Sequence, residues 1–97
     1  MKNVPLVLVV KPECSLCLEA RAVVEAAAQK HGLDYAERSI AEDPALAAQF
    51  AEEVPVLLLD GVQRDFWRID PQRLDRLLTQ RAAERAGQQA QAVEAQS

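Results

Sequence analysis

The heptapeptide Lys11-Pro12-Glu13-Cys14-Ser15-Leu16-Cys17 directly follows an apolar run and opens a long helical pattern. Residues three apart lie on one face of a helix, with Cβ atoms about 5–6 Å apart, and a disulfide needs Cα atoms about 4.4–6.8 Å apart. Cys14 and Cys17 can therefore exist as two thiols or as one disulfide. The spacing predicts a reversible two-electron redox site.

The two cysteines occupy different positions in the predicted helix. The first turn of a helix has unpaired N–H groups and the positive end of the helix dipole, and both favour a thiolate. Cys14 lies at this end, whereas Cys17 lies one turn further in, where burial keeps a thiol protonated. We therefore predict that Cys14 attacks and Cys17 resolves. Lys11 would stabilise a Cys14 thiolate, and Glu13 would oppose it.

The rest of the chain alternates strand and helix patterns. Apolar or β-branched runs indicate strands, and Asp-Pro pairs or a terminal glycine indicate helix ends. In chain order, the predicted elements are a strand over Val4–Val10, a helix over 14–31 before Gly32, a strand over Leu33–Ile40, a short helix over Ala45–Phe50 after Asp43-Pro44, strands over Val54–Leu59 and Val62–Arg68, and a last helix from Asp70-Pro71 to near Gly87. Asp60-Gly61 is a hairpin turn signal between the last two strands.

This order, βαβαββα, predicts an α/β fold. A strand, a helix and a strand in succession imply a right-handed crossover and parallel pairing, and the hairpin adds antiparallel strands. We therefore expect a four-stranded mixed sheet flanked by helices. The domain is predicted over 1–86, and the Gln/Ala-rich segment 87–97 is predicted to be a frayed or disordered tail.

Size and charge limit the function. Ninety-seven residues can bury the core of one domain without disulfide support, so the cysteines are predicted to be chemical rather than structural. A net charge of −4 argues against nucleic acid as a partner. The run Val4–Val10 is too short to span a membrane and lacks the flanks of a signal peptide, so we expect no membrane association and a cytoplasmic location.

Three features together resemble the thioredoxin superfamily, and more narrowly the glutaredoxin-like proteins. They are the strand followed by the Cys14–Cys17 motif at a helix start, the Glu53-Val54-Pro55-Val56 run that opens the third strand, and the Asp60-Gly61 hairpin. The resemblance covers about residues 3 to 84. It implies a thioredoxin-like fold and a thiol–disulfide oxidoreductase that reduces disulfides in proteins or small thiols.

The resemblance also implies roles for residues outside the CxxC motif. The Val54–Pro55 bond would be cis and would expose the Val54 backbone N–H and C=O beside Cys14, where an extended substrate could pair with them. Val54 and Pro55 would thus form a substrate ledge, with Lys11 as an electrostatic aid. The protein would act as a monomer with no bound cofactor or metal. Its partners would be a disulfide-containing protein or a glutathione-type thiol, and its reducing equivalents would come from glutathione or a thioredoxin-reductase-type donor.

Two other classes of protein stay open at this point. A CxxC pair supplies half of a zinc site or, across a dimer, the four thiolates of an iron–sulfur cluster. A non-catalytic binding module could also keep this fold. Phe66 and Trp67, adjacent in the predicted fourth strand, are interpreted as one core and one surface aromatic.

Overall fold

The computed structural model describes residues 4–96, and the side chains of residues 4–86. The predicted order of elements is confirmed. The elements are β1 (Leu6–Val10), α1 (Ser15–His31), β2 (Tyr35–Ser39), α2 (Pro44–Phe50), β3 (Val56–Leu59), β4 (Val62–Phe66) and α3 (Pro71–Gln96). The fold is α/β, with one four-stranded mixed sheet and three helices, as predicted.

Strand β1 lies inside the sheet, whose strand order is β2-β1-β3-β4. It pairs in parallel with β2, as the strand–helix–strand pattern predicts, and antiparallel with β3. Because successive side chains of a strand point to opposite faces, β1 contributes to two cores. Leu6 and Leu8 pack in the core that includes residues of α1 and α3, whereas Val9 packs with Phe50 of α2.

The ends of the first two helices follow local sequence signals. The C-cap of α1 is Gly32, whose φ of 63° is left-handed, and the Leu33 N–H donates to the Ala28 carbonyl at 2.9 Å. At the start of α2, the Asp43 carboxylate accepts the Ala45 N–H at 3.0 Å, with Pro44 in the first turn. Both ends lie where the sequence places them, because Gly tolerates a left-handed backbone and Asp accepts free helix N–H groups.

The hairpin between β3 and β4 turns at Asp60 and Gly61, as predicted. Both residues have positive φ values, 52° and 82°, which the turn type of a two-residue hairpin requires. Arg81 of α3 donates to both Asp60 carboxylate oxygens, from Nε at 2.8 Å and from Nη2 at 3.1 Å. The guanidinium therefore lowers the pKa of Asp60 and ties the hairpin to the last helix.

The strands are shorter than predicted. The third strand starts at Val56 rather than Val54, because the Val54 N–H donates to the Phe50 carbonyl at 3.1 Å instead of entering the sheet. The fourth strand ends at Phe66 rather than Arg68, because Trp67 has a φ of 61°, which interrupts an extended backbone.

The first two strands start later than predicted, at Leu6 and Tyr35. The last helix, in contrast, ends later than predicted. Helix α3 continues past Gly87 to Gln96, so its predicted end near Gly87 is wrong. One glycine costs a helix only about 1 kcal/mol, and the following Gln and Ala residues favour helix. The side chains of 87–97 lie outside the described residues, so the division into a domain and a tail stays a prediction. Within residues 4–96, no helix is long and apolar enough to cross a membrane.

Candidate redox site

The two cysteines lie at the start of α1, immediately after the loop that follows β1. The loop residue Glu13 has a φ of 56°, so the chain turns sharply before Cys14. Cys14 is the N-cap of the helix and is half-buried, whereas Cys17 is one turn further in and 3% exposed. This is the arrangement that the CxxC spacing predicts. Both cysteines are free thiols in the structure.

A hydrogen bond joins the two cysteines through the helix backbone. The Cys17 N–H donates to Cys14 Sγ at 3.2 Å, so the sulfur takes the place that an oxygen of Ser, Thr, Asp or Asn usually has at a helix start. An N–H group that would otherwise lack a partner in the first turn is therefore directed at the Cys14 sulfur. The contact holds that sulfur over the helix N-terminus, where negative charge is favoured.

Cys17 is a protected thiol. Burial, followed by the hydrogen bond that the Cys17 thiol donates to Cys14, raises the pKa of Cys17 from 9.0 to about 11. The Lys11 backbone N–H opposes this rise, but it is the weaker influence. The structure therefore places a partly exposed Cys14 before a buried Cys17 whose pKa is raised.

A groove of about 640 Å³ adjoins the CxxC motif. Leu16, which lies between the two cysteines, lines it together with Lys11 and Val54, so the structure brings two of the predicted substrate-binding residues to one surface. Val54 itself is only 5% exposed, and Pro55 is fully buried behind it. The Val54–Pro55 peptide bond is cis.

One expectation for the substrate ledge is wrong. The Val54 N–H is not free, because it donates to the Phe50 carbonyl at the end of α2. The Val54 carbonyl, in contrast, accepts no backbone hydrogen bond from the described residues. The donor expected of the ledge is therefore engaged within the protein.

The groove contains two aromatic residues that the sequence analysis places differently. Phe66 and Trp67 line it, and they are 42% and 54% exposed, so the interpretation of one core and one surface aromatic is wrong. Phe66 belongs to β4, whose residues are mostly exposed, and Trp67 leaves the strand with a left-handed backbone. A positive φ at tryptophan has no signal in the sequence, so pattern reasoning could not find it.

Among residues 4–86, no group of three or more His, Cys, Asp and Glu side chains is placed to hold a metal ion. The CxxC motif alone contributes two sulfur ligands, whereas structural zinc sites have four.

Comparisons with known proteins identify the family of the chain. The sequence profile of the Glutaredoxin-like domain (DUF836) matches residues 5–79. An uncharacterized protein of Mycobacterium tuberculosis is 26% identical over 72 residues, which are 69% of this chain and 74% of that protein.

Solved structures share the fold. A structural genomics target protein from X. campestris has a TM-score of 0.64 and 28% identity, over 76% of this chain and 95% of that chain. A mutant thioredoxin from Halobacterium salinarum has a TM-score of 0.56 and 29% identity, over 75% of this chain and 69% of that chain. With its dithiol at the start of α1 and a profile match over most of its length, the chain belongs to the glutaredoxin-like family of the thioredoxin superfamily.

Proposed function

We propose that the protein is a dithiol thiol–disulfide oxidoreductase in which Cys14 attacks a partner disulfide and Cys17 completes the exchange. One observation carries the proposal: Cys14 is partly exposed and its Sγ accepts the Cys17 N–H at the helix start, whereas Cys17 lies one turn further in and is buried. Membership of the glutaredoxin-like family and the similarity to a solved thioredoxin support a redox role.

The exchange proceeds in two balanced steps. The Cys14 thiolate attacks one sulfur of the partner disulfide, so that a bond from Cys14 to the partner forms, the partner disulfide breaks, and the departing sulfur takes up a proton. Cys17 then loses its proton and attacks Cys14 Sγ, which forms the Cys14–Cys17 disulfide and releases the second partner sulfur as a thiol. Two electrons pass from the two cysteines to the partner.

A reductant must then return the Cys14–Cys17 disulfide to two thiols. We propose that glutathione or a thioredoxin-reductase-type enzyme supplies these electrons and that no cofactor is bound. Lys11 and Val54 border the groove where the partner would lie. The further proposals are a cytoplasmic location, a monomeric state, and disulfide-containing proteins or small thiols as partners rather than nucleic acid.

The proposal is tested by interrupting the exchange at its midpoint. Cys17→Ser should convert a transient mixed disulfide into a stable one, because the second attack is lost. After incubation with bis(2-hydroxyethyl) disulfide, intact-mass analysis should show one adduct per chain, located on Cys14 and removed by dithiothreitol. The wild-type protein should instead accumulate its internal disulfide.

Cys14→Ser is the matched control, because it keeps one cysteine and removes the proposed nucleophile. It should form the adduct far more slowly, since Cys17 is 3% exposed. Equal adduct formation by the two variants, or no adduct on Cys14 with any disulfide, would overturn the proposed function.

A further inference from the structure

The most unusual surface feature of the described side chains is a pair of adjacent exposed aromatic rings, Phe66 and Trp67, which we name the aromatic pair. Their ring centroids are 4.9 Å apart and their planes meet at 68°, an edge-to-face contact of the kind that stabilises aromatic side chains beyond simple burial. Each ring is nevertheless more than two-fifths exposed. Large apolar groups left exposed together in a groove usually mark a binding surface.

The aromatic pair is held in place rather than loosely exposed. The Trp67 N–H donates to the Pro55 carbonyl at 2.8 Å, and the indole Nε1–H donates to the Glu52 carbonyl at 3.1 Å. Trp67 also has a left-handed backbone, a conformation that is costly for a bulky residue and that is found mainly where the surrounding structure imposes it. A ring fixed in this way loses little conformational freedom when a ligand covers it.

The charges around the groove do not favour an anionic small molecule. Lys11 and Arg68 are balanced by Glu52 and Asp65 among the lining residues. The Asp65 carboxylate accepts the backbone N–H groups of Phe66 at 2.9 Å and of Asp70 at 3.1 Å, so it stabilises the chain around the aromatic pair. With charges of both signs at its border, the groove is best matched by an apolar group.

The position of the groove restricts what could fill it. Leu16 lines the groove and lies between Cys14 and Cys17. A substrate side chain in the groove would therefore belong to a residue within a few positions of the substrate cysteine that is bonded to Cys14. Since the Val54 N–H donates to the Phe50 carbonyl, it cannot also donate a hydrogen bond to an extended peptide. Side-chain contact with the aromatic pair is the stronger source of selectivity that remains.

We propose that the aromatic pair is the specificity site of the exchange and takes an aromatic or large aliphatic side chain next to the target cysteine of a protein disulfide. The inference rests on the proposed function, and it names the substrate class: disulfides in polypeptides with an apolar residue beside the cysteine. Trp67 is a specificity-determining residue in this scheme, and Phe66 supports its ring.

A kinetic comparison tests the proposal. Two disulfide-linked peptides are used that are identical except for Leu or Ser next to the attacked cysteine. The wild-type protein should reduce the Leu peptide with a kcat/KM about tenfold higher than the Ser peptide, as expected for partial burial of one apolar side chain. In Trp67→Ala this ratio should fall to about one, because the apolar contact is lost.

Val62→Ala is the matched control, since Val62 is a 52% exposed apolar residue at the other end of β4 from Phe66 and does not line the groove. It should keep the wild-type ratio. The ratio of kcat/KM for the two peptides is measured within a single protein, so it is insensitive to loss of folded material. If Trp67→Ala does not fold, Phe66→Ala serves as a second variant and should reduce the ratio partly.

A binding measurement separates this proposal from the proposed function. Trp67 is the only tryptophan in the chain, so its fluorescence reports directly on the groove. Versions of the two peptides with Ser in place of Cys cannot react, and the Leu version should shift the Trp67 emission at a concentration about tenfold lower than the Ser version.

The outcomes are distinguishable. Selective fluorescence binding without any disulfide reduction would overturn the proposed function and leave the groove as a peptide site. Reduction of both peptides at equal rates, or a ratio unchanged in Trp67→Ala, would overturn the specificity site and leave the exchange intact. No binding and no reduction would overturn both.

Discussion

Alkylation of the native protein should separate the two cysteines by a large factor in rate. The pKa of Cys17 is raised from 9.0 to about 11, chiefly by burial. Because the thiolate is the reactive form, a rise of this size leaves about 100-fold fewer reactive molecules at neutral pH than an unperturbed cysteine would have. Cys17 is also only 3% exposed, so the alkylating reagent has little access to its sulfur.

The assay follows both cysteines with iodoacetamide and mass spectrometry of the reduced protein. We expect a single adduct on Cys14, with Cys17 labelled at least about 100-fold more slowly than in the urea-unfolded chain, which is the internal reference. The rate at Cys17 should rise about tenfold per pH unit from about pH 8 to pH 10, since the thiolate fraction increases until the pH reaches the pKa.

Two results would refute this reasoning. One is labelling of Cys17 in the native protein at the rate of the unfolded chain. The other is a plateau of its rate near about pH 9, which would mean that burial does not protect the thiol. Either result would remove the distinction between attacking and resolving cysteine on which the mechanism depends.

Two further predictions concern the stability of the fold. Arg81→Gln removes the pair with Asp60 and should lower the melting temperature by about 2–5 °C near neutral pH, as expected for a partly exposed ion pair of up to about 1 kcal/mol. Because Arg81 lowers the pKa of Asp60 below 3.8, the contribution is present above that pH and lost as the pH falls further, so the difference from wild type should vanish in strong acid. An equal loss in Arg73→Gln, whose arginine makes no ion pair among the described residues, would contradict the assignment. Leu57 is fully buried, whereas Leu18 is 62% exposed. In urea unfolding, Leu57→Ala should therefore cost about 2–5 kcal/mol and Leu18→Ala less than about 0.5 kcal/mol. Similar costs for the two would show that the core does not depend on Leu57.

The features that sequence reasoning predicts correctly are those with local causes. Cys14 begins a helix, Gly32 ends it, and Asp60-Gly61 turns a hairpin, because each depends on the backbone preferences of the residues themselves. The parallel pairing of β1 and β2 follows from the helix α1 that connects them, because a strand–helix–strand crossover brings the second strand back in the same direction. These local features place the dithiol in the fold.

The features that it misses depend on contacts between distant segments. The Val54 N–H is occupied by the last residue of α2, and nothing in the run Glu53-Val54-Pro55-Val56 indicates this partner. The position of Trp67 likewise depends on the carbonyls of Glu52 and Pro55, which accept its indole and backbone N–H groups. The positions of Cys14 and Cys17 in the fold are therefore predicted from the sequence, whereas the lining of the neighbouring groove is not.

The use of Cys14 Sγ as a helix cap has a consequence for the timing of the proposed exchange. Once this sulfur is bonded to a partner, it is a neutral divalent sulfur and a weaker acceptor for the Cys17 N–H than a thiolate is. The cap of the first turn of α1 would then be weakened during the lifetime of the mixed disulfide. The loosened turn would let Cys17, otherwise buried, approach Cys14, so that formation of the intermediate itself would release the residue that resolves it.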